Sequence, residues 1–446
     1  MKKFKKLNPA QILLLGFLSF ILIGALLLML PMATVKGISP VDALFTSTSA
    51  ICVTGLIVKD TPHDFTTFGQ IIILFLIQVG GFGYMTSATI ISLMIGKKIG
   101  LGERLIMKEA LNVLTIEGVV RFTKLVLLMT LTCESLGALL LTVRFRADYE
   151  LGTAAYYGVF HAISAFNNAG FSLFSDNLIR YRGDLMVNSV IMLLIIIGGI
   201  GFLVINDLYN YAWKQVFRIS MHTKVVVATS TLLIIAGAAF ICLFEYSNPA
   251  TYQQLTLQEK ILASSFASIT PRTAGFNTLD YSQLRLETLF LTIMLMFIGA
   301  SPGGTGGGVK TTTFAVVLAS LSSLMRTSSD TVLFKRRIPL EVISRSLLIV
   351  ALAMMVVTIL SLMLLILEEY PYLTTLFEVT SAFGTVGLSV GDGGVRSLSA
   401  LFTPWGKLCI CFAMYAGRLG PLTLAVAVIS KKETRYRYPE GRIVIG

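Results

Sequence analysis

Eight stretches of the chain are apolar almost without interruption: Ala10 to Leu30, Ile71 to Ile95, Leu125 to Val143, Met186 to Ile205, Val225 to Phe244, Leu289 to Ala300, Leu347 to Leu367, and Leu408 to Ile429. A hydrocarbon core about 30 Å thick takes about 20 helical residues, so most of these runs are long enough to cross it. The sixth is the exception, because glycines interrupt it. The first run follows Met1-Lys-Lys-Phe-Lys-Lys, as a signal peptide would. It is too long for such a leader's apolar stretch of about 7 to 15 residues and has no small-residue cleavage pattern behind it, so it reads as the first span. The pattern predicts an all-α polytopic membrane protein.

Between successive pairs of spans lies a shorter helical segment that ends in a small-residue turn closed by Gly and then Leu or Phe. The four turns are Ser49 to Leu56, Ser164 to Phe171, Ile269 to Phe276 and Ser381 to Leu388. Their glycines, Gly55, Gly170, Gly275 and Gly387, recur about every 105 to 115 residues, and an aromatic precedes each turn: Phe45, Phe160, Phe266 and Phe377. A fixed period of this kind marks duplicated units. The units run 1–98, 99–215, 216–330 and 331–446, each read as span, short segment, span. That makes eight transmembrane helices and four short ones.

The short segments cannot cross a bilayer, and their turns are unsuited to lipid. Irregular backbone at membrane depth survives only within protein or along a watery cavity. Each short segment is therefore expected to be a re-entrant pore helix that dips in and returns as extended chain. Four of them can surround one pseudo-fourfold pore, with helix C-termini, each carrying about half a negative charge, aimed at a common point. Carbonyl rings there would replace the water of a dehydrated cation. The candidate ring comprises the backbones of Cys52, Val53, Thr54 and Gly55; Asn167, Asn168, Ala169 and Gly170; Arg272, Thr273, Ala274 and Gly275; and Gly384, Thr385, Val386 and Gly387. Glycine suits it because an inward carbonyl ladder uses angles that side chains resist.

Composition narrows the class further. Of 446 residues, 55% are hydrophobic and 13% charged, against roughly 25% charged in globular domains. Alternate loops gather the basic residues, among them Lys97, Lys98, Arg104, Lys214, Arg218, Lys335, Arg336, Arg337 and the tail from Lys431. The opposite loops carry Asp60, Asp64, Asp148, Asp176, Glu259 and Asp280. This bias puts both termini in the cytoplasm. The net charge of +12 is then orientation and contact with anionic lipid, and nucleic acid is not expected as a partner. Five cysteines give no framework, and Cys409-x-Cys411 lacks the zinc spacing. The three histidines, His63, His161 and His222, stand in unrelated contexts, so no enzyme chemistry is expected and no cofactor in this chain. His161 reads as a packed histidine on a pore helix.

The strings Thr270-Pro-Arg-Thr-Ala-Gly-Phe-Asn277 and Phe160-His-Ala-Ile-Ser-Ala-Phe-Asn-Asn-Ala-Gly-Phe171, with Gly303 to Gly308 and Lys310-Thr-Thr-Thr313, are specific. Over essentially its whole length the chain resembles the Trk/Ktr/HKT superfamily of potassium and sodium translocating proteins, nearest to the bacterial Ktr membrane subunits. That resemblance implies four non-identical membrane-pore-membrane units, a homodimer, a bacterial plasma-membrane location and a separate cytoplasmic RCK-type ring that binds nucleotide and gates the pore. It implies uptake of K+, with Na+ as a second candidate cargo. Gly55, where some plant relatives carry serine, favours K+. Each turn keeps a single glycine, unlike the Thr-Val-Gly-Tyr-Gly string of tetrameric channels, so fewer well-defined ion sites are expected.

Gly303, Gly304, Thr305, Gly306, Gly307 and Gly308 follow Pro302 and precede Lys310. Glycine costs a helix about 1 kcal/mol and proline about 3, so the span should break there. A phosphate loop is the rival, but Val309 separates Gly308 from Lys310 and no strand precedes it. A flexible intramembrane loop that obstructs the pore is the reading taken, supported by the resemblance. Arg418 is costly within a span and should face protein or water. It is read as a barrier or a holder of the glycine loop, against a structural ion pair with Glu134. Arg272 is expected to point behind its turn, and the pairs Gly80-Gly81 and Gly198-Gly199 to ease helix packing or kinks. The competing transport class is an alternating-access secondary cation transporter with broken helices.

Overall fold

The computed structural model describes residues 9–83, 119–214, 216–327, 330–391 and 395–428. The boundary drawn at 98/99, Lys97, Lys98, Arg104 and the basic tail from Lys431 fall outside the described residues. Four long helices begin the four units: Pro9–Leu28, Val119–Phe145, Met221–Glu245 and Leu340–Leu367. They are apolar on every side, with mean hydropathy between 1.9 and 2.9, and at most 33% of each apolar stretch is buried inside the protein. Leu15, Leu22, Ile23 and Leu26 on the first, and Leu128, Leu136 and Leu139 on the second, stand exposed. Such contiguous apolar surface belongs against lipid.

Inside this outer layer stand the four short helices, Pro40–Ile51, Leu151–Phe166, Leu257–Ile269 and Tyr372–Gly384. Their starts are set locally. Ser39 caps the first by accepting from the Asp42 amide, with Pro40 in the first turn, and Thr256 and Glu259 form a reciprocal capping box on the third. The aromatics flagged in the sequence, Phe45, Phe160, Phe266 and Phe377, are all fully buried. Hydroxyls tie short helices to the long ones: Ser47 donates to Ile21 O at 2.7 Å, and Ser268 to Ile234 O at 2.8 Å.

The second spans depart from the expected continuous helices. They are Thr67–Phe82, Leu185–Ile200, Leu286–Phe297 and Pro404–Leu419, and each stops at a break. The apolar run Met186 to Ile205 turns by 99° at Gly201 into Phe202–Ala212, and Leu408 to Ile429 turns by 94° at Gly420 into Pro421–Val428. Gly83, Gly201 and Gly420 have φ of 75°, 100° and 84°, a left-handed backbone that ends a helix and that side chains resist. In the third unit the run resumes as Thr311–Met325 after the glycine stretch. Hydropathy alone saw one break; the structure adds corners at Gly201 and Gly420, and in the first unit the helix ends at Gly83, where the described residues stop.

A second departure is a small antiparallel hairpin, Val332–Leu333 with Arg336–Arg337, at the start of the fourth unit. Phe334 and Lys335 form its tip with φ of 47° and 62°. It is the only sheet among the described residues of an otherwise helical fold.

Candidate functional site

The four turns share two left-handed positions. The glycines Gly55, Gly170, Gly275 and Gly387 have φ of 94°, 71°, 75° and 92°. Two residues earlier, Val53, Asn168, Thr273 and Thr385 are also left-handed, at 56°, 58°, 72° and 52°. Positive φ is tolerable for Asn but is an outlier for β-branched residues, and three of the four are β-branched. Such conformations cost of order 1–3 kcal/mol each and persist where the surroundings over-determine them, commonly at functional sites.

The surroundings here are hydrogen bonds from behind. The amide before each glycine, at Thr54, Ala169 and Val386, donates to the carbonyl of Ser49, Ser164 and Ser381, each at 2.8 Å. In the third unit Ala274 donates to Thr270 at 2.9 Å, a turn one residue tighter. The same residues use their hydroxyls. Ser49 and Ser381 accept from the Gly55 and Gly387 amides at 3.1 Å, Ser164 donates to Phe171 O at 2.7 Å, and Thr270 to Phe276 O at 2.5 Å. With the N–H groups drawn backwards, carbonyls are left for the front.

Those carbonyls meet in a ring. A Cβ added to Gly55 would strike Ala169 O and lie 3.1 Å from Gly170 Cα; one on Gly170 would lie 2.8 Å from Ala274 O. One on Gly275 would strike Val386 O, and one on Gly387 would strike Thr54 O and lie 2.9 Å from Gly55 Cα. The contacts run first to second to third to fourth unit and back to the first. Four predicted turns therefore converge on one axis, closed in chain order.

On one side of the ring lies a cup of about 50 Å³, walled by the four glycines and by Asp60, Ser172, Asn277, Ser389 and Arg396 from the following loops. On the other side lies the glycine stretch, Gly303 to Gly308. Ser301 N–H donates to Gly199 O at 3.0 Å, Thr305 N–H to Gly198 O at 3.1 Å, and Gly307 N–H to the Thr385 hydroxyl at 2.9 Å. A Cβ on Gly306 would collide with Thr273 Oγ1, so the stretch fits flush beneath two of the left-handed residues. Lys310 Nζ folds back on Gly306 O at 2.6 Å and Gly307 O at 3.3 Å.

Arg418 stands half-buried at the same level. Its guanidinium donates to Thr305 O, Gly80 O and Gly81 O, joining the fourth unit to the glycine stretch and to the first unit. The alternative ion pair with Glu134 is absent: Glu134 instead accepts from Asn167 Nδ2 at 2.9 Å and Gln78 Nε2 at 3.4 Å. A planar guanidinium satisfied by carbonyls needs no carboxylate.

Of the residues read from the sequence, Thr54, Ala169, Ala274 and Val386 present oxygens at the ring, and the four glycines make room for them. Asn167 turns away to Glu134 and Gln78. Arg272 points behind its turn, donating to the Ser230 hydroxyl at 2.8 Å. Gly384 closes the fourth short helix against Met296 O, and Cys52 caps the first. His161 is packed, stacked on Phe174 with its ring nitrogens 2.7 Å from Tyr157 O and 3.0 Å from Ser172 Oγ.

Sequence reasoning expected Gly80 and Gly198 to ease close packing, as they do, but missed Gly417 and the shared seat beneath the short helices. Gly80, Gly198 and Gly417 each lie against a carbonyl four residues before a ring glycine, those of Ile51, Phe166 and Phe383, where a Cβ would collide. The signal was present, since each seat follows its ring glycine by about 25 to 30 residues.

The cation transport protein model of the TrkH family matches residues 3–436. The chain belongs to that family. Among TrkH-family proteins, "Ktr system potassium uptake protein B" of Bacillus subtilis is 43% identical over all of this chain and 98% of its own length. The Vibrio alginolyticus protein of the same name is 38% identical, covering 98% and 94%. "Potassium/sodium uptake protein NtpJ" of Enterococcus hirae is 35% identical, covering 99% and 98%. The crystal structure of the potassium transporter TrkH from Vibrio parahaemolyticus superposes with a TM-score of 0.73 at 19% identity, over 96% of this chain and 86% of that one. Its TrkH fold is that of four membrane-pore-membrane repeats about one pore, in a multi-pass membrane protein.

Proposed function

We propose that this TrkH-family protein takes up K+ through a channel-like selectivity filter, with Na+ as a second permeant ion. The closed ring of Thr54, Ala169, Ala274 and Val386 carbonyls carries this reading. Stripping water from an ion carries an idealised cost on the order of 20 kcal/mol, and oxygen dipoles held in place by bonds from behind can offset it without rearranging. Relatives named for potassium, and in one case potassium and sodium, uptake agree with this cargo. The membrane potential supplies about 2.3 kcal/mol per charge per 100 mV, enough for inward flow with both termini cytoplasmic.

The glycine stretch is the gate in this proposal. It fills the axis directly under the ring, and its bonds to the second and fourth units are single hydrogen bonds that rearrangement can exchange. A homodimer and a cytoplasmic nucleotide-binding RCK-type ring belong to the same proposal, supported by relatives whose names place them in a Ktr "system". The test is Rb+ uptake in cells lacking their own potassium systems, with and without a candidate ring subunit. Wild-type chain should restore uptake, and deletion of Gly303–Gly308 should raise it in the absence of the ring subunit. Uptake unchanged by the deletion in correctly folded protein would remove the gate, and no uptake under any condition would remove the channel.

A further inference from the structure

A cavity of about 620 Å³ opens between the start of the second unit's long helix, Val119–Phe145, and the bent segment Phe202–Ala212. One wall is a stripe of that long helix: Arg121 and Lys124 at its outermost end, then Leu125 and Leu128 one and two turns further in. Residues three and four apart share a helix face, so these side chains line up by depth, charge first and hydrocarbon after. Leu128 and Leu131 continue the stripe as exposed apolar surface. The facing wall offers the amides of Asn206 and Asn210 and the ring of Tyr209. Among the described residues no carboxylate lines the cavity.

The bent segment is fixed where a bilayer's polar boundary must lie. It leaves the span Leu185–Ile200 at 99°, so it runs across rather than along the spanning direction. Asp207 pins it to the next long helix by accepting from the Ser220 amide at 2.9 Å and the Thr223 hydroxyl at 2.6 Å. Tyr209, Tyr211 and Trp213 stand exposed at its end, the residue types that gather at headgroup level.

We propose that this cavity is a binding site for the headgroup of an anionic phospholipid, its phosphate between Arg121 and Lys124, its polar groups on Asn206, Tyr209 and Asn210, and an acyl chain along Leu125, Leu128 and Leu131. The order of chemistry with depth matches a lipid and no soluble ligand: a free phosphate would use the basic end and leave the leucine stripe idle. The inference rests on the chain being membrane-embedded and is independent of which ion it carries. Uptake assays and this test fail separately.

Trp213 is the reporter, its ring 6.0 Å from Tyr209. The chain's other tryptophan, Trp405, is removed as Trp405→Phe. The protein is reconstituted in phosphatidylcholine vesicles into which brominated phosphatidylglycerol or brominated phosphatidylcholine is titrated, and quenching of Trp213 is read. A basic residue near the surface contributes about fivefold in attraction to anionic lipid, so phosphatidylglycerol should quench at about a fifth or less of the phosphatidylcholine fraction. Arg121→Gln with Lys124→Gln should abolish that preference, and Arg121→Lys should retain it. Asn206→Leu with Tyr209→Phe should weaken it with both charges in place. Competition by millimolar inorganic phosphate would reassign the site to a free anion and overturn the lipid. Equal quenching by the two lipids in the wild-type protein, as a groove built for a soluble protein would give, overturns it as well.

Discussion

Val53, Thr273 and Thr385 are β-branched and left-handed, which a sequence chosen for stability alone would avoid. What they obtain is a fixed direction for the next carbonyl. If main-chain oxygen is what meets the ion, side chains within the turns matter unequally. Thr54 is buried and its hydroxyl has no partner, so Thr54→Val should leave Rb+ uptake within about twofold and stability unchanged or slightly raised. Gly170→Ala should instead abolish uptake, because φ is 71° and the added Cβ would sit 2.8 Å from Ala274 O. The check is uptake alongside a melting curve; a Thr54→Val protein that folds but does not transport would make the hydroxyl the ligand. The spacing of serine to glycine was visible in the sequence at Ser49, Ser164 and Ser381. The left-handed residue two before each glycine was not, because nothing in the side chains Val, Asn, Thr and Thr announces a shared backbone angle.

The breaks in the inner helices are the lesson at the element scale. Pro302 and its glycines announced one, since their helix cost is plain in composition. Gly201 and Gly420 stand close to other glycines, Gly198, Gly199 and Gly417, in their apolar runs, and only the positive φ of one in each run makes it the corner. Arg418 shows how such an element is held: one side chain reaches Thr305 on the glycine stretch and Gly80 and Gly81 on the first unit. Arg418→Gln keeps some donors but loses the fork and the charge, and two carbonyls lose their partner. Ion flux without any regulatory partner should therefore rise several-fold while the melting temperature changes by only a few degrees. A collapse in folded yield without a change in flux per folded molecule would make Arg418 a structural strut.

At the scale of the molecule, four units separated by about a hundred residues each must find one axis, and the last must meet the first. Besides Arg418, that seam is closed beside the ring by Ser397, whose amide donates to Ile57 O at 3.0 Å and whose hydroxyl accepts from Ile57 N–H at 2.9 Å, across 340 residues of chain. Repeat spacing alone made the fourfold plan legible; the seam was not, since neither residue belongs to a repeated motif. Removing the hydroxyl leaves a part-buried amide unpaired, which costs about 1–3 kcal/mol. Ser397→Ala should lower the melting temperature in detergent and raise Na+ relative to K+ uptake by loosening one corner of the ring. Uptake ratios identical to wild type would show that the seam stabilises the protein without setting the ring's dimensions.

Because one polypeptide supplies all four corners of the ring, a cell carrying two alleles never builds a hybrid mouth. An inherited lesion arrives once per passage rather than in a binomial spread of doses. Each corner is thus free to drift by its own genetics, which accounts for Thr-Gly, Ala-Gly, Ala-Gly and Val-Gly standing side by side where four separate copies would force a single answer.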